Sequence, residues 1–512
     1  MIRIGNSPMT IEDFDKIVIQ KSPIEIDSTV LNEVEANFNF IKNFSADKVI
    51  YGINTGFGPM AQFKIPYTDR LSLQYNLIRS HASGTGNPIP AVMCRAMLLD
   101  RLNTFLQCKS GVHLDLILLF QELLNRDIAP VIYEHGGVGA SGDLVQLAHL
   151  GLAIIGEGEL WFENKIYPAG ELMEMKGITP FAIRLREGLA LMNGTSCMTG
   201  IGLLNVFYAE KLVKISALVS VTINELMGAF DDHLSAPLNL AKRHPGQQQI
   251  AEYMRNITAG SQLMRNRQEH LYKDTEETEF KEKVQEYYSL RCTPQILGPI
   301  LDTVLYSKYV LENELNSVSD NPVIDHHIQN VYHGGNFHGD YVSLEMDKLK
   351  IAITKLGMLA DRQLNYLLND KLNGKLKPFI NHGTLGLNFG MQGIQYTATS
   401  TVAENQTLSY PAYLHSIPSN NDNQDLVSMG SNAALIANKV IDNSFQVLAV
   451  HCLALAEAID ALGKQDVLST QGKKLYLSIR HRAGKISEDK ALYKELASIA
   501  TFLKDDFTIE KI

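Results

Sequence analysis

Long apolar runs are missing from this 512-residue chain: no stretch offers 18 uninterrupted apolar residues, which excludes a membrane span on that criterion. A basic excess is missing too. Lys and Arg number 46 against 56 Asp and Glu, for a formal net charge of −10. A nucleic-acid partner needs a basic face to neutralise phosphate, and no Lys/Arg run or aromatic-basic module supplies one locally. Cysteine is sparse: Cys94, Cys108, Cys197, Cys292 and Cys452 lie far apart with no C-x-x-C pair. That set reads as reduced core thiols, with neither a disulfide framework nor a metal site expected. The opening "MIRIGNSPMTIEDFDKIVIQK" interrupts every apolar stretch with acids, unlike a signal peptide. These absences leave the expectation of a cytoplasmic globular protein, long enough to bury a large core.

What is present is helical periodicity. Leu349, Ile353, Leu356, Ala360, Leu364 and Leu367 recur at steps of three and four, one stripe of a helix. Ala437, Ile441, Phe445, Leu448, Cys452, Leu455 and Ile459 form a second stripe, on a helix apolar around much of its circumference. Polar loops such as "SIPSNNDNQD" (416–425) separate such helices, which predicts a large bundle. The first two hundred residues mix short helices, glycine loops and a few strands. "DKVIYGINTGFGPM" reads as a short strand entering a mobile loop, and "LWFENKIYP" as a hairpin with its tip at Glu163-Asn164. The expected fold class is mainly α: an N-terminal mixed domain (1–196), a central helical bundle (197–475) and a C-terminal helical cap (476–512).

Residues 137–142, "GVGASG", pose the chemical question. The spacing is G-x-G-x-x-G, preceded by strand-like "APVIYEH" and followed by helix-like "DLVQLAHLGLAIIG", as in a dinucleotide-binding loop. Two features oppose that reading. Asp143 follows Gly142 directly, where it is expected to cap the next helix and to repel a diphosphate. The next strand-like segment is a hairpin, whereas a parallel crossover is required. A glycine-rich turn into a capped helix is the plainest reading. A third uses the residue types: attack of the Gly142 nitrogen on the Ala140 carbonyl, with loss of two waters, makes 4-methylideneimidazole-5-one. Ala140 and Gly142 are small enough for so tight a ring. Ser141 loses its hydroxyl and provides the exocyclic methylidene, so no external cofactor is needed.

Seven segments decide among these. "YGINTGFGPM" (51–60), "GGVGASGDL" (136–144), "NGTS" (193–196), "VQEYYSLRCTPQILGP" (284–299), "SDNPVI" (319–324), "GGNFHGD" (334–340) and "DNQDLVSMG" (422–430) occur in the order in which they appear in one family. The chain resembles the aromatic amino acid ammonia-lyases, which include histidine, phenylalanine and tyrosine ammonia-lyases, and most resembles the short bacterial tyrosine enzymes. The resemblance implies a helical fold, the self-made electrophile from Ala140-Ser141-Gly142, and a homotetramer whose active sites each draw on three chains.

It also implies roles. Tyr51 becomes the base that removes the β-proton; a phenol titrates near about 10 unperturbed, so a tyrosine base needs a site that stabilises its anion. Gly58 belongs to the loop that closes over substrate and expels water, together with Gly52 and Gly56. Arg291 pairs with the substrate carboxylate through its bidentate fork. Tyr288 lies three residues earlier on the same face of an expected helix, the family places it near the electrophile, and Gln285 is its neighbour on that face. Asn193 donates to the electrophile's carbonyl oxygen, and Asn321 and Phe337 line the pocket. Taken singly, each has an ordinary structural explanation: a packed tyrosine, a bundle salt bridge, an Asn-Gly turn.

Two positions bear on the substrate and disagree. Ser80-His81, in "LIRSHASG", matches the ring-recognition pair of histidine lyases. Gln424 matches the phenylalanine and tyrosine enzymes, where histidine lyases carry a glutamate able to pair with imidazole. A neutral amide and a histidine that serves as donor or acceptor together suit a phenol best. The expected reaction is L-tyrosine to trans-4-coumarate and ammonia. Histidine, phenylalanine and an aminomutase outcome are the alternatives.

Overall fold

The computed structural model describes residues 1–272, 276–280 and 283–508, and 59% of the chain is helical. The chain divides into two compact units. One gathers residues 1–207, 307–347 and 411–437; the other gathers 208–306, 348–410 and 438–512. Each unit therefore collects three separate stretches, a different partition from three consecutive segments. The reason lies in four long helices, Ser196–Met227, Thr293–Leu315, Asp340–Leu368 and Gly430–Leu462, each contributing residues to both units.

Both expected stripes are buried. Every member of the Leu349–Leu367 set is 0% exposed, on the helix Asp340–Leu368, and the Ala437–Ile459 set lies buried along Gly430–Leu462. A window of that second helix has mean hydropathy 1.6, long and apolar enough to cross a membrane, but 78% of the window is buried inside the protein. Its apolar surface is core.

Strands are short and lie in the first unit. The expected hairpin is Glu159–Phe162 paired antiparallel with Lys165–Pro168, and Glu163 and Asn164 both take positive φ, as a two-residue mirror-type turn requires. Ala129–Pro130 adds to it antiparallel. No parallel crossover surrounds the glycine loop among the described residues, which removes the dinucleotide fold. The segment 47–60 holds no strand: residues 51–53 turn, Thr55 makes an isolated bridge with Lys64, and Gly58–Met60 is a 3-10 turn. Its glycines leave the backbone no long extended register to pair.

A second hairpin, Val323–Asp325 with Asn330–Tyr332, hangs directly after Asn321. Helix Ser28–Phe44 holds it: Asn37 Nδ2 donates to the Ile324 carbonyl (3.0 Å) and approaches His326 Nδ1 (3.2 Å), while His326 Nε2 meets Glu33 (2.9 Å). An amide hydrogen aimed at Nδ1 places the imidazole proton on Nε2, which then donates to Glu33.

In the second unit, His451 is 1% exposed and neither ring nitrogen meets a hydrogen-bond partner among the described residues. Burial pushes it from 6.5 down to about 3. The unfolded chain then takes up a proton that the folded chain refuses. The histidine's contribution is intact above pH 6.5 and is lost, at about 1.4 kcal/mol per pH unit, as pH falls from 6.5 toward 3. His233, pushed down to about 4 chiefly by burial, acts in the same sense. We expect His451→Leu to raise stability by about 1–3 kcal/mol at neutral pH, by removing an unsatisfied polar group, and to flatten the acid limb. Urea unfolding at pH 7 and pH 5 measures both; equal midpoints for the two proteins at both values would refute it.

Candidate active site

The Ala-Ser-Gly turn belongs to the first unit. Gly139, Ser141 and Gly142 all have positive φ (74°, 61° and 76°), and Gly139 bridges Gly142 across the turn. A serine in the left-handed region costs about 1–2 kcal/mol, so the surroundings must impose it. They do so through Gly194. A Cβ on Gly142 would stand 2.0 Å from the Gly194 carbonyl oxygen, and that oxygen accepts the Asp143 N–H at 2.8 Å. Backbone presses on backbone, and only glycine fits.

Asp143 corrects the sequence reading. Its side chain makes no cap on the helix Leu144–Ile154. Instead Oδ2 accepts the N–H groups of Cys197 and Met198, each at 2.9 Å, and so caps the helix Ser196–Met227 from outside, while Oδ1 accepts the Ser431 hydroxyl. The local rule pairs a capping residue with the next helix; here tertiary packing brings the orphan amides of another helix closer. Burial pushes the Asp143 carboxyl up to about 6, against the Ser431 and amide hydrogen bonds that favour its anion. Two further buried carboxyls, Asp100 and Glu314, are pushed up by burial as well, and Glu314 raises both Asp100 and Asp143.

Of the expected residues in this unit, Gln424 reaches the turn directly and Asn193 adjoins its Gly194 wall. Gln424 Nε2 donates to the Ser141 hydroxyl at 3.3 Å, and its Oε1 accepts from Ser419. Asn193, 3% exposed, uses one Nδ2 hydrogen on the Asn321 carbonyl (3.0 Å) and retains the other, while Asn321 Oδ1 accepts from the Gly334 amide. Tyr51 Oη accepts the Gly58 N–H at 3.2 Å, and its ring meets Phe57 edge-on. A Cβ at Gly58 would stand 2.7 Å from Asn420 Nδ2, so the tyrosine loop approaches the 419–424 loop closely. His81 ends the helix Arg70–His81 with Nδ1 on the Leu77 carbonyl (2.9 Å) and Ser80 Oγ beside it (3.0 Å). A carbonyl only accepts, so Nδ1 carries the proton and Nε2 presents a lone pair. Phe337 is half-buried just before the helix Asp340–Leu368.

Gln285, Tyr288 and Arg291 cluster in the second unit. The one-turn helix Tyr288–Arg291 sets the Arg291 guanidinium 4.9 Å over the Tyr288 ring, and Arg291 donates to Gln285 Oε1. Gln285 precedes this helix rather than lying on its face, yet it reaches the same arginine. Tyr288 is 70% exposed.

Sequence reasoning missed the buried charges behind the turn: Arg101, Arg186 and Asp320, each 0% exposed. Arg186 pairs with both Asp320 oxygens at 3.0 Å and also reaches the Asn321 carbonyl. A signal existed. In "AMLLDRLNTFL", Asp100, Arg101 and Asn103 break an apolar run, and every residue of 93–106 is buried. Charges locked inside a core helix mark a polar contact worth its desolvation.

A family model described as aromatic amino acid lyase matches residues 9–481. A tyrosine 2,3-aminomutase of Myxococcus sp. (strain Mx-B0) is 40% identical over 454 residues, covering 87% of this chain and 86% of that protein. A histidine ammonia-lyase of Geobacillus sp. (strain WCH70) is 37% identical over 509 residues, covering 98% and 96%. The crystal structure of tyrosine aminomutase from Streptomyces globisporus superposes with a TM-score of 0.93 at 32% identity, covering 99% of this chain and all of that one.

Proposed function

The chain belongs to the aromatic amino acid lyase family, and from that premise we propose that it converts L-tyrosine to trans-4-coumarate and ammonia, using an electrophile made from Ala140-Ser141-Gly142. The observation that carries this reading is the Ser141-Gly142 turn, left-handed at both residues and pressed against the Gly194 carbonyl. The residues fit 4-methylideneimidazole-5-one: they are small where the ring must close, and Asn193 adjoins the Gly194 that walls the turn. That group supplies an electrophilic carbon for the substrate amine, which makes the nitrogen a better leaving group.

The protein's own residues do the rest. Tyr51, as the phenolate, takes the β-proton and becomes the phenol; the Gly58 amide already donates to its oxygen, a contact that favours the anion. Arg291 exchanges Gln285 for the substrate carboxylate, and Tyr288 sits under the same guanidinium. His81 Nε2 accepts the substrate's phenolic hydrogen, and the Gln424 amide adds no charge to the pocket. The reading includes a homotetramer with shared sites; it is supported by the 70% exposure of Tyr288, a group that catalysis needs enclosed.

A second reading has an observation behind it. Relatives at 40% identity are named tyrosine 2,3-aminomutases, which suggests return of the ammonia to the β-carbon to give β-tyrosine. One assay separates the readings: purified protein is offered tyrosine, histidine and phenylalanine separately, with ammonia, ultraviolet spectrum and amino acid products recorded. Coumarate with matching ammonia supports the lyase; β-tyrosine without ammonia supports the mutase; urocanate from histidine removes the tyrosine assignment. We expect Gln424→Glu to shift the kcat/KM ratio toward histidine by about tenfold to hundredfold, the worth of a charge-assisted hydrogen bond to imidazole.

A further inference from the structure

Arg101 lies on the helix Ala91–Leu106 with no exposed surface, and its guanidinium is spent on backbone. Nε and Nη2 donate to the Ala190 carbonyl (3.0 and 2.5 Å), Nη2 also to the Asn193 carbonyl (3.1 Å), and Nη1 to the Ser319 carbonyl (3.1 Å). The planar fork thus ties together the segment that ends in Asn193-Gly194 and the segment that leads to Asn321. Lysine, with a single nitrogen on a flexible stem, cannot span three carbonyls in one plane. The contact is also tight against Gly194: a Cβ there would stand 2.1 Å from Nη1 and 2.3 Å from the Ser319 oxygen. Gly194 in turn is the wall against which Gly142 rests.

We infer that Arg101 is a positioning residue for the electrophile: it fixes the Gly194 wall that shapes the Ser141-Gly142 turn and the backbone from which the Asn193 amide is aimed. The inference rests on the reading of Ala140-Ser141-Gly142 as the precursor of that group. Arg101 touches none of the groups assigned to substrate. Its replacement therefore lowers electrophile content or turnover and leaves substrate affinity alone.

The test uses full-length protein and two variants. Arg101→Lys keeps the charge and loses the fork, and Gly194→Ala keeps the arginine but pushes on Nη1 from the other side. Three quantities are read. They are the fraction of the peptide spanning residues 140–142 that shows a mass deficit of two waters, kcat per electrophile with KM for tyrosine, and the thermal midpoint as a check on folding. Expected in either folded variant is a lower deficit fraction, or a kcat per electrophile lower by on the order of 10²-fold, with KM unchanged. If Arg101→Lys does not fold, Gly194→Ala reads the same contact. Wild-type deficit and kcat in a folded variant would overturn the inference, as would a fall matched by a rise in KM. Wild-type protein without the two-water deficit would overturn the precursor reading itself, a separate result.

Discussion

Ser141→Ala leaves a folded, helical protein whose ammonia release falls by at least about 10⁴-fold, the scale on which loss of a covalent catalytic group is felt. The substitution is nearly silent for the fold. Alanine accepts the left-handed φ of 61° no worse than serine, and the one hydrogen bond lost is the 3.3 Å contact from Gln424 Nε2, worth about 1 kcal/mol or less. The hydroxyl is nonetheless the oxygen that must leave as water for Cβ to become a methylidene carbon. Two measurements belong together: turnover of tyrosine, and the mass of the peptide carrying residues 140–142. The variant should lack the two-water deficit expected of the parent, with an unchanged circular dichroism spectrum. Full activity in the variant would remove the internally built electrophile altogether.

Tyr51→Phe is the second large effect. The ring keeps its edge-on contact with Phe57, at 6.1 Å between centroids, and only the oxygen that accepts the Gly58 amide disappears. The cost to packing is a single hydrogen bond on a half-buried loop. Loss of a positioned general base costs about 10²–10⁴-fold, so kcat should fall by that amount with the two-water deficit intact and KM changed little. This outcome differs from the serine variant in one decisive respect: the electrophile is present and the proton is not taken. A phenylalanine variant with near-normal kcat would move the base elsewhere. An intact deficit in Tyr51→Phe beside its absence in Ser141→Ala would assign the two residues to different steps.

Much of the fold was legible because it is periodic. The stripes at 349–367 and 437–459 are buried as their spacing predicts, and Glu163-Asn164 makes the hairpin tip that two consecutive left-handed residues allow. The glycine loop was legible for the opposite reason: a carboxylate after Gly142 and an antiparallel hairpin beyond it are incompatible with a bound diphosphate. What escaped is everything set by non-local contact. Asp143 caps a helix 54 residues away rather than its own, a choice made by tertiary packing. Arg101 reaches carbonyls 89, 92 and 218 residues distant, and no local pattern encodes such a reach. Gln285 was placed on a helical face by spacing, whereas the helix begins only at Tyr288, since one turn is too short for periodicity to locate.

The distance along the chain between Asp143 and Ser431, 288 residues, has a consequence in time. A ribosome adding about 5–20 residues per second needs roughly 15–60 s to pass from one to the other. Throughout that interval the nascent polypeptide carries Ala140-Ser141-Gly142 without the serine that holds Asp143 or the Met429 amide that binds the Val138 carbonyl. The walls that hold the turn in its left-handed form are complete only near the end of synthesis. Under the proposed reading, a chain that stops before Ser431 lacks these contacts, and its dehydration is expected only once synthesis has passed that residue.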